Sequence, residues 1–147
     1  MSSTCPKCGA TLAEGRTCRS IFEEFLIFDF TDPGYGEVHM LTVACYMIQH
    51  GEYSQRGLGW IEENMRLHLE GIPTQEIRRK VDRQVDQGQR DWKVTRQPDE
   101  PPQPRIAWSM TIADVQRGVQ DAESYRRLIR QWARATLQEM QPLVPKA

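Results

Sequence analysis

Three of the four cysteines in this chain lie near its start, in the segment TCPKCGATLAEGRTCRS at residues 4–20. Cys5 and Cys8 form a CPKCG knuckle, in which two thiolates at short spacing can bind one metal ion. Gly9 lets the backbone turn its amides toward the sulfurs. Cys18 begins a predicted helix, where the helix dipole favours a thiolate. The segment therefore predicts a Zn²⁺ site with three cysteine ligands.

The fourth ligand must come from later in the chain, where the candidates are His39, Cys45, His50 and His68. Helices predicted at about 18–30 and 37–50 are joined by the turn-forming stretch TDPGYGE. Helices joined by so short a turn are antiparallel neighbours, which places Cys18 beside His50. We therefore predict Zn²⁺ held by Cys5, Cys8, Cys18 and His50. His39 and Cys45 are the alternatives for the fourth position.

A second polar site is predicted at the opposite end of the same helix pair. The antiparallel arrangement places His39 beside Asp29 and Asp32. A carboxylate next to an imidazole orients the ring, as a general base or a metal ligand requires. The alternative is a buried histidine that holds the turn by hydrogen bonds. His68 lies among charged residues and is predicted to be on the surface.

The helices that must position these groups follow from the apolar pattern. Apolar residues at helical spacing predict helices at about 18–30, 37–50, 55–70 and 75–87. Capping residues predict a short helix that ends at Gly118 and a last helix from a cap at Asp121 to about Met140. The helix at 37–50 is apolar nearly all round and is predicted to be the centre of the fold. The predicted class is all-α, a helical bundle with an N-terminal zinc knuckle.

A chain of 147 residues is long enough for one compact domain. We predict one domain over 1–147, with a zinc knuckle at 1–17 and a helical core at 18–96. The stretch QPDEPPQP at 97–104 holds four prolines and is predicted to be a stiff, exposed connector. A C-terminal helical segment at 105–147 follows it.

Composition narrows the function classes. The formal net charge of −1 gives no bulk attraction to nucleic acid or to an anionic membrane. The start of the chain lacks the pattern of a signal peptide, and no apolar run approaches the roughly 18–20 residues of a membrane-spanning helix. We expect a cytoplasmic protein, in which cysteines at this spacing indicate metal binding rather than disulfides.

The chain resembles a bacterial family of unknown function. Members of that family carry CPxCG near the N-terminus and then a segment H-x-L-T-V-x-x-Y-x-x-Q-H. Here the segment runs from His39 to His50 and includes Gln49. The chain departs from the pattern at Gly51, where members often have proline, and near Cys45, where they often have an acid. The resemblance implies no established activity, but it implies that both histidines and Gln49 belong to the family pattern.

Three function classes remain open. The first is a binding or adaptor protein with a closed, structural zinc site, in which Trp92 and Trp108 could contact a protein partner or a second copy. The second is a metal-dependent enzyme that uses an open zinc position or a His39-centred pocket. The third is nucleic-acid binding through the basic residues of 76–96, but the acids interleaved there are typical of an ordinary solvated helix face.

Overall fold

The computed structural model describes residues 2–86 and 93–144, with the side chains of residues 84–86 left out. The described part is mostly helical, with one two-stranded sheet. The strands are β1 (Ser3–Thr4) and β2 (Thr11–Leu12). The helices are α1 (Cys18–Thr31), α2 (Pro33–Gly36), α3 (His39–Gln49), α4 (Gln55–Leu69), α5 (Thr74–Asp86), α6 (Ile112–Gly118) and α7 (Ala122–Glu139), followed by a 3-10 turn at Gln141–Leu143.

The N-terminal segment forms a small hairpin, where the sequence predicted irregular structure. Strand β1 pairs with β2 in antiparallel register, with Ser3 opposite Leu12. The backbone amide of Cys5 donates to the carbonyl of Ala10 at 2.9 Å, and that of Gly9 donates to the carbonyl of Cys5 at 2.9 Å. Gly9 has a φ of +81°, a conformation that glycine adopts without a Cβ clash. The knuckle is therefore the loop of a hairpin.

The turn between α1 and α3 contains the short helix α2. Pro33 begins it, and the Asp32 carboxylate accepts a hydrogen bond from the Gly34 amide at 2.8 Å. A Cβ on Gly36 would lie 2.5 Å from the carbonyl oxygen of Asp29. Only glycine permits this close approach of α2 to the end of α1, and the tight connection keeps α1 and α3 adjacent.

Helix α3 is the centre of the fold, as predicted. Leu41, Ala44, Cys45 and Ile48 are at most 2% exposed. Helix α7 packs against α3, where the Gln49 side-chain amide donates to the Thr136 hydroxyl at 3.0 Å. The last helix therefore packs on the central helix.

The extended stretch before the proline-rich segment is tied to the core. Tyr53 forms an isolated antiparallel bridge with Thr95, and the Arg96 amide donates to the Glu52 carbonyl at 2.8 Å. The Glu100 carboxylate accepts from the Gln55 amide at 2.9 Å, which fastens the connector to the start of α4. The sequence RDWKVTR at 90–96 predicts an extended stretch, and its residues 90–92 lie outside the described residues. The division of the chain into four segments stays a prediction.

Candidate metal centre and polar pocket

The structure brings Cys5, Cys8, Cys18 and His50 together from three separate elements. Cys5 and Cys8 lie in the hairpin loop, Cys18 is the first residue of α1, and His50 caps the end of α3. One ligand atom of each lies within 4.8 Å of every other. The Cys5 sulfur is 3.7 Å from Nε2 of His50, and the sulfurs of Cys8 and Cys18 are 3.5 Å apart. All four residues are at most 8% exposed.

This cluster fits a metal ion by the chemistry and spacing of its donors. A tetrahedral zinc with Zn–S bonds of about 2.3 Å holds neighbouring ligand atoms about 3.5–3.8 Å apart. Nδ1 of His50 lies 2.7 Å from the carbonyl oxygen of Tyr46, to which it donates its proton. Nε2 then carries the free lone pair that can bind a metal ion. Such a hydrogen bond from the second nitrogen is typical of metal-binding histidines. The cluster could therefore hold a metal ion with four protein ligands.

The contact between the sulfurs of Cys8 and Cys18 moves the pKa values of the two thiols in opposite directions. The hydrogen bond from Cys18, helped by His50, lowers the pKa of Cys8 to about 4. The same bond, together with burial, raises the pKa of the Cys18 thiol well above its usual range. Burial acts to lower the pKa of His50, but hydrogen bonds to Cys8 and to the Tyr46 carbonyl outweigh it and raise the value. A bound cation would replace the protons that now neutralise these thiolates.

The two alternative fourth ligands lie elsewhere. Cys45 is fully buried in the core, where burial raises the pKa of its thiol to about 12. His39 is the first residue of α3, at the end of that helix opposite His50. The cluster of potential metal ligands that the described residues form includes neither.

His39 belongs to a second polar network, at the other end of the α1–α3 pair. Its Nδ1 lies 2.9 Å from one carboxylate oxygen of Asp29, whose side chain has no solvent exposure. The Tyr125 hydroxyl donates to the other oxygen of Asp29 at 2.9 Å, and the Thr42 hydroxyl is 3.2 Å from that of Tyr125. Burial raises the pKa of Asp29, and the hydrogen bonds from His39 and Tyr125 oppose that rise. Asp32, which was predicted to join this site, instead caps α2 with its carboxylate.

A cavity of about 480 Å³ adjoins this network. Met40, Val43 and Met47 of α3 form one wall, and the facing walls come from α4 and α5. The imidazoles of His39 and His68 both line it. The predicted surface position of His68 is wrong, because α5 and the cavity wall half-bury the ring, and burial lowers its pKa.

Sequence reasoning missed Tyr125 and Thr42 as members of the polar network. Tyr125 lies on the apolar stripe of α7 that was expected to pack on the core, and it is fully buried. A buried tyrosine hydroxyl needs a hydrogen-bond partner, which was the available signal. The identity of that partner, Asp29, depends on contact across 96 residues of chain, so local pattern could not supply it.

One basic residue of the segment considered for nucleic-acid binding is paired with an acid of the neighbouring helix. The Lys80 ammonium forms a salt bridge with the Glu63 carboxylate of α4. Arg90, Asp91 and Trp92 lie outside the described residues. Within the part of the chain that the structure describes, no helix is long and apolar enough to cross a membrane.

The fold and the cluster define a mostly helical protein with a candidate Cys₃His metal centre. The chain belongs to a family described as "Family of unknown function (DUF5946)", whose profile matches residues 3–141. Neither the curated proteins nor the solved structures contain a match to the chain.

Proposed function

We propose that this protein is a binding or adaptor module whose fold is stabilised by a structural Zn²⁺ ion at Cys5, Cys8, Cys18 and His50. The observation that carries this proposal is the convergence of four buried donor atoms within 4.8 Å of one another. Zinc with three thiolates and one imidazole has no free position for water, so it serves structure rather than chemistry. The ion would join the hairpin to α1 and α3, because the ligands come from all three.

The hairpin needs such a fastening. Its two strands have two residues each, and a sheet this small has little stability of its own in water. Ala10 and Leu12 are buried against the core, at 2% and 6% exposure, but the opposite side of the hairpin is exposed. A metal ion that ties Cys5 and Cys8 to both helices would make the segment part of the folded domain.

Metal content tests the zinc site. Native mass spectrometry of the purified protein should find one zinc per chain, and His50→Ala and Cys18→Ser should lose it. The matched controls His39→Ala and Cys45→Ala should retain it. Zinc lost with His39→Ala but kept in His50→Ala would contradict the ligand set, and a wild-type protein that binds no zinc would contradict the proposal as a whole.

The binding role rests on an exposed apolar pair on α1. Ile27 is 62% exposed and Phe30 is 76% exposed, three residues apart on one helix face. Exposed large apolar side chains that lie together favour contact with a protein partner or a second copy of the chain. Trp108, one of the two tryptophans considered as an anchor, packs against the core. Trp92 lies outside the described residues.

Sedimentation velocity tests self-association through this pair. We expect the wild type to form a dimer as its concentration rises and Phe30→Ser to remain monomeric. Ile106→Ser, a change to a half-buried apolar residue elsewhere, is the control and should dimerise as the wild type does. A wild type that stays monomeric at all concentrations would exclude self-association and leave a different protein as the partner.

The alternative is a metal-dependent enzyme that uses an open zinc position or a His39-centred polar pocket. The observation that favours the pocket is the Asp29–His39 pair beside the cavity, at the end of α3 opposite the cluster. Cobalt substitution separates the two proposals. The absorption spectrum of a closed Cys₃His cobalt site should not change when azide is added, whereas an open site would bind azide and shift its bands.

A further inference from the structure

Beside His39, an apolar face of the central helix lines a cavity and is only partly buried by the described residues. A helix face that is not packed normally carries polar residues. Helix α3 instead presents Met40, Val43 and Met47, which recur at helical spacing, and all three are only partly buried. Trp60 and Ile61 of α4 also line the cavity. Its volume of about 480 Å³ falls within the range of roughly 300–1,000 Å³ found for small-molecule sites.

The polar group at this cavity is held in a fixed orientation. Nδ1 of His39 contacts Asp29, and that carboxylate is held in turn by the Tyr125 hydroxyl. The Phe30 ring lies 5.0 Å from the imidazole and packs on it. Because a carboxylate accepts hydrogen bonds, it keeps the proton of the neutral ring on Nδ1. Nε2 is then an acceptor, and it has no hydrogen-bond partner within the described residues.

A second histidine of the lining also has a nitrogen without a partner. Nδ1 of His68 is buried and has no hydrogen-bond partner among the described residues. Because that atom is closed to solvent, the imidazole that offers a nitrogen to a ligand is His39, whose side chain is 34% exposed. Both of these imidazoles line one cavity whose other walls are mainly apolar. This combination, a few polar groups among apolar walls, is typical of small-molecule sites.

The charges at the cavity favour a neutral ligand. Glu37 is paired with Arg126 at 3.4 Å and with Arg130 at 3.3 Å. The two further charged residues of the lining, Arg78 and Asp82, are four residues apart on α5 and have opposite signs. Each charge of the described lining therefore has one of opposite sign close by, and these residues form no cluster of a single sign that would attract an ionic ligand.

We propose that this cavity binds a neutral small molecule with an apolar body of one or two rings and a hydroxyl or amide N–H group. The donor group of the ligand bonds to Nε2 of His39, and the apolar body lies against Met40, Val43 and Met47. Asp29 is a positioning residue, because it sets which nitrogen of His39 accepts the bond. The proposal is independent of the zinc site, which lies at the other end of α3.

A matched pair of probes tests the hydrogen bond directly. The first probe is 2-naphthol and the second is 2-methoxynaphthalene, which has the same rings but no donor. Each is titrated into the full, zinc-loaded chain and followed by NMR spectra of the backbone and of ¹⁵N-labelled imidazoles. We expect 2-naphthol to bind about fivefold to tenfold more tightly, as one hydrogen bond supplies. The ¹⁵N resonance of Nε2 of His39 should shift with 2-naphthol alone.

Two variants separate the roles of His39 and Asp29. In Asp29→Asn, with the amide oxygen kept on the Tyr125 hydroxyl, the amide nitrogen donates to Nδ1 of His39, so the ring proton moves to Nε2 and the acceptor is lost; the ¹⁵N shifts of the ring report which nitrogen carries the proton. His39→Phe removes the acceptor and keeps a ring of similar shape. Both variants should bind the two probes equally, and Met47→Trp should bind neither because the indole fills the cavity. Arg105→Ala, far along the chain from this site, should behave as the wild type.

Three results would overturn the proposal. The first is no saturable binding of either probe to the wild type, and the second is equal affinity of the wild type for both probes. The third is a preference for 2-naphthol that persists in His39→Phe. The NMR spectrum of each variant shows whether it is folded. If Asp29→Asn does not fold, the relative affinities of His39→Phe for the two probes test the proposal.

Discussion

Replacing Tyr125 by phenylalanine isolates the hydrogen bond that holds Asp29. The change removes one hydroxyl, which donates to Asp29 at 2.9 Å and lies 3.2 Å from the Thr42 hydroxyl. The aromatic ring stays, and so does its edge contact with Phe25, whose centroid is 5.3 Å away at 87°. Thr42 keeps its hydrogen bond to the Val38 carbonyl at 3.2 Å. The perturbation is therefore confined to one oxygen of a buried carboxylate.

The expected cost follows from the burial of that carboxylate. The side chains of Tyr125 and Asp29 are both inaccessible to solvent, so water cannot replace the lost donor. A hydrogen bond to a charged group contributes about 1.5–3 kcal/mol. We expect Tyr125→Phe to lower the free energy of unfolding in urea by about this amount. The control Tyr35→Phe changes a neighbouring half-buried ring and should cost less than about 0.5 kcal/mol.

The cost of Tyr125→Phe should also depend on pH. The pKa of Asp29 is raised in the folded protein, so its contribution to stability is present below the unfolded value of 3.8 and is lost as pH rises through the folded pKa. The Tyr125 hydroxyl lowers that folded pKa, and its removal raises the pKa further. The difference in the free energy of unfolding between the wild type and Tyr125→Phe should therefore be larger at neutral pH than at acid pH. A difference that is constant with pH, or below about 0.5 kcal/mol throughout, would refute this account of the network.

Three further predictions test the proposed zinc site, the packing of α2 and the helix propensity of α4. Removal of metal by a chelator should speed hydrogen exchange at the hairpin amides of Cys5 and Gly9 more than at the amides of α7, because the ion is proposed to fasten the hairpin. Equal acceleration of exchange in the hairpin and in α7 would contradict a local role of the ion. Gly36→Ala should cost about 1–3 kcal/mol, since its Cβ would lie 2.5 Å from the Asp29 carbonyl oxygen. Gly59→Ala has no atom within 4 Å of its Cβ and should stabilise α4 by up to about 1 kcal/mol, as thermal unfolding would show; destabilisation there would contradict the expected helix propensity.

The helices could be predicted because their signals are local. The apolar stripe and the capping residues of α7 lie within one helix, and Asp121 caps it as predicted, accepting from the Ser124 amide at 2.8 Å. The capping box of Thr111 and Asp114 likewise forms at the start of α6. The antiparallel pairing of α1 and α3 followed from a short connection, and it placed His50 near Cys18 and His39 near Asp29.

The hairpin, α2 and the cavity could not be predicted in the same way. Strands of two residues are too short to show an alternating pattern, and α2 is a single turn whose proline and glycines also indicate a loop. The apolar residues of α3 predicted a helix that is covered on most sides. Which of its faces stays open depends on how α4 and α5 pack, and this is a property of contacts distant in sequence. Local pattern assigned Tyr125 to the core and His68 to the surface, whereas the tertiary fold joins Tyr125 to Asp29 and places His68 in the cavity wall.

The two ends of the α1–α3 pair compensate buried ionisable groups in different ways. At each end a histidine at a terminus of α3 lies against a group of α1, and ionisable side chains are buried there. At the His50 end, three sulfur atoms lie near the imidazole, and the four groups together could hold a metal ion. At the His39 end, one carboxylate takes hydrogen bonds from two partners, and Nε2 of the imidazole remains beside a cavity. The buried cluster at the His50 end suits a structural ion, and the cavity at the His39 end suits a small molecule. A substitution at His50 should therefore remove zinc binding without removing ligand binding, and a substitution at His39 should do the reverse.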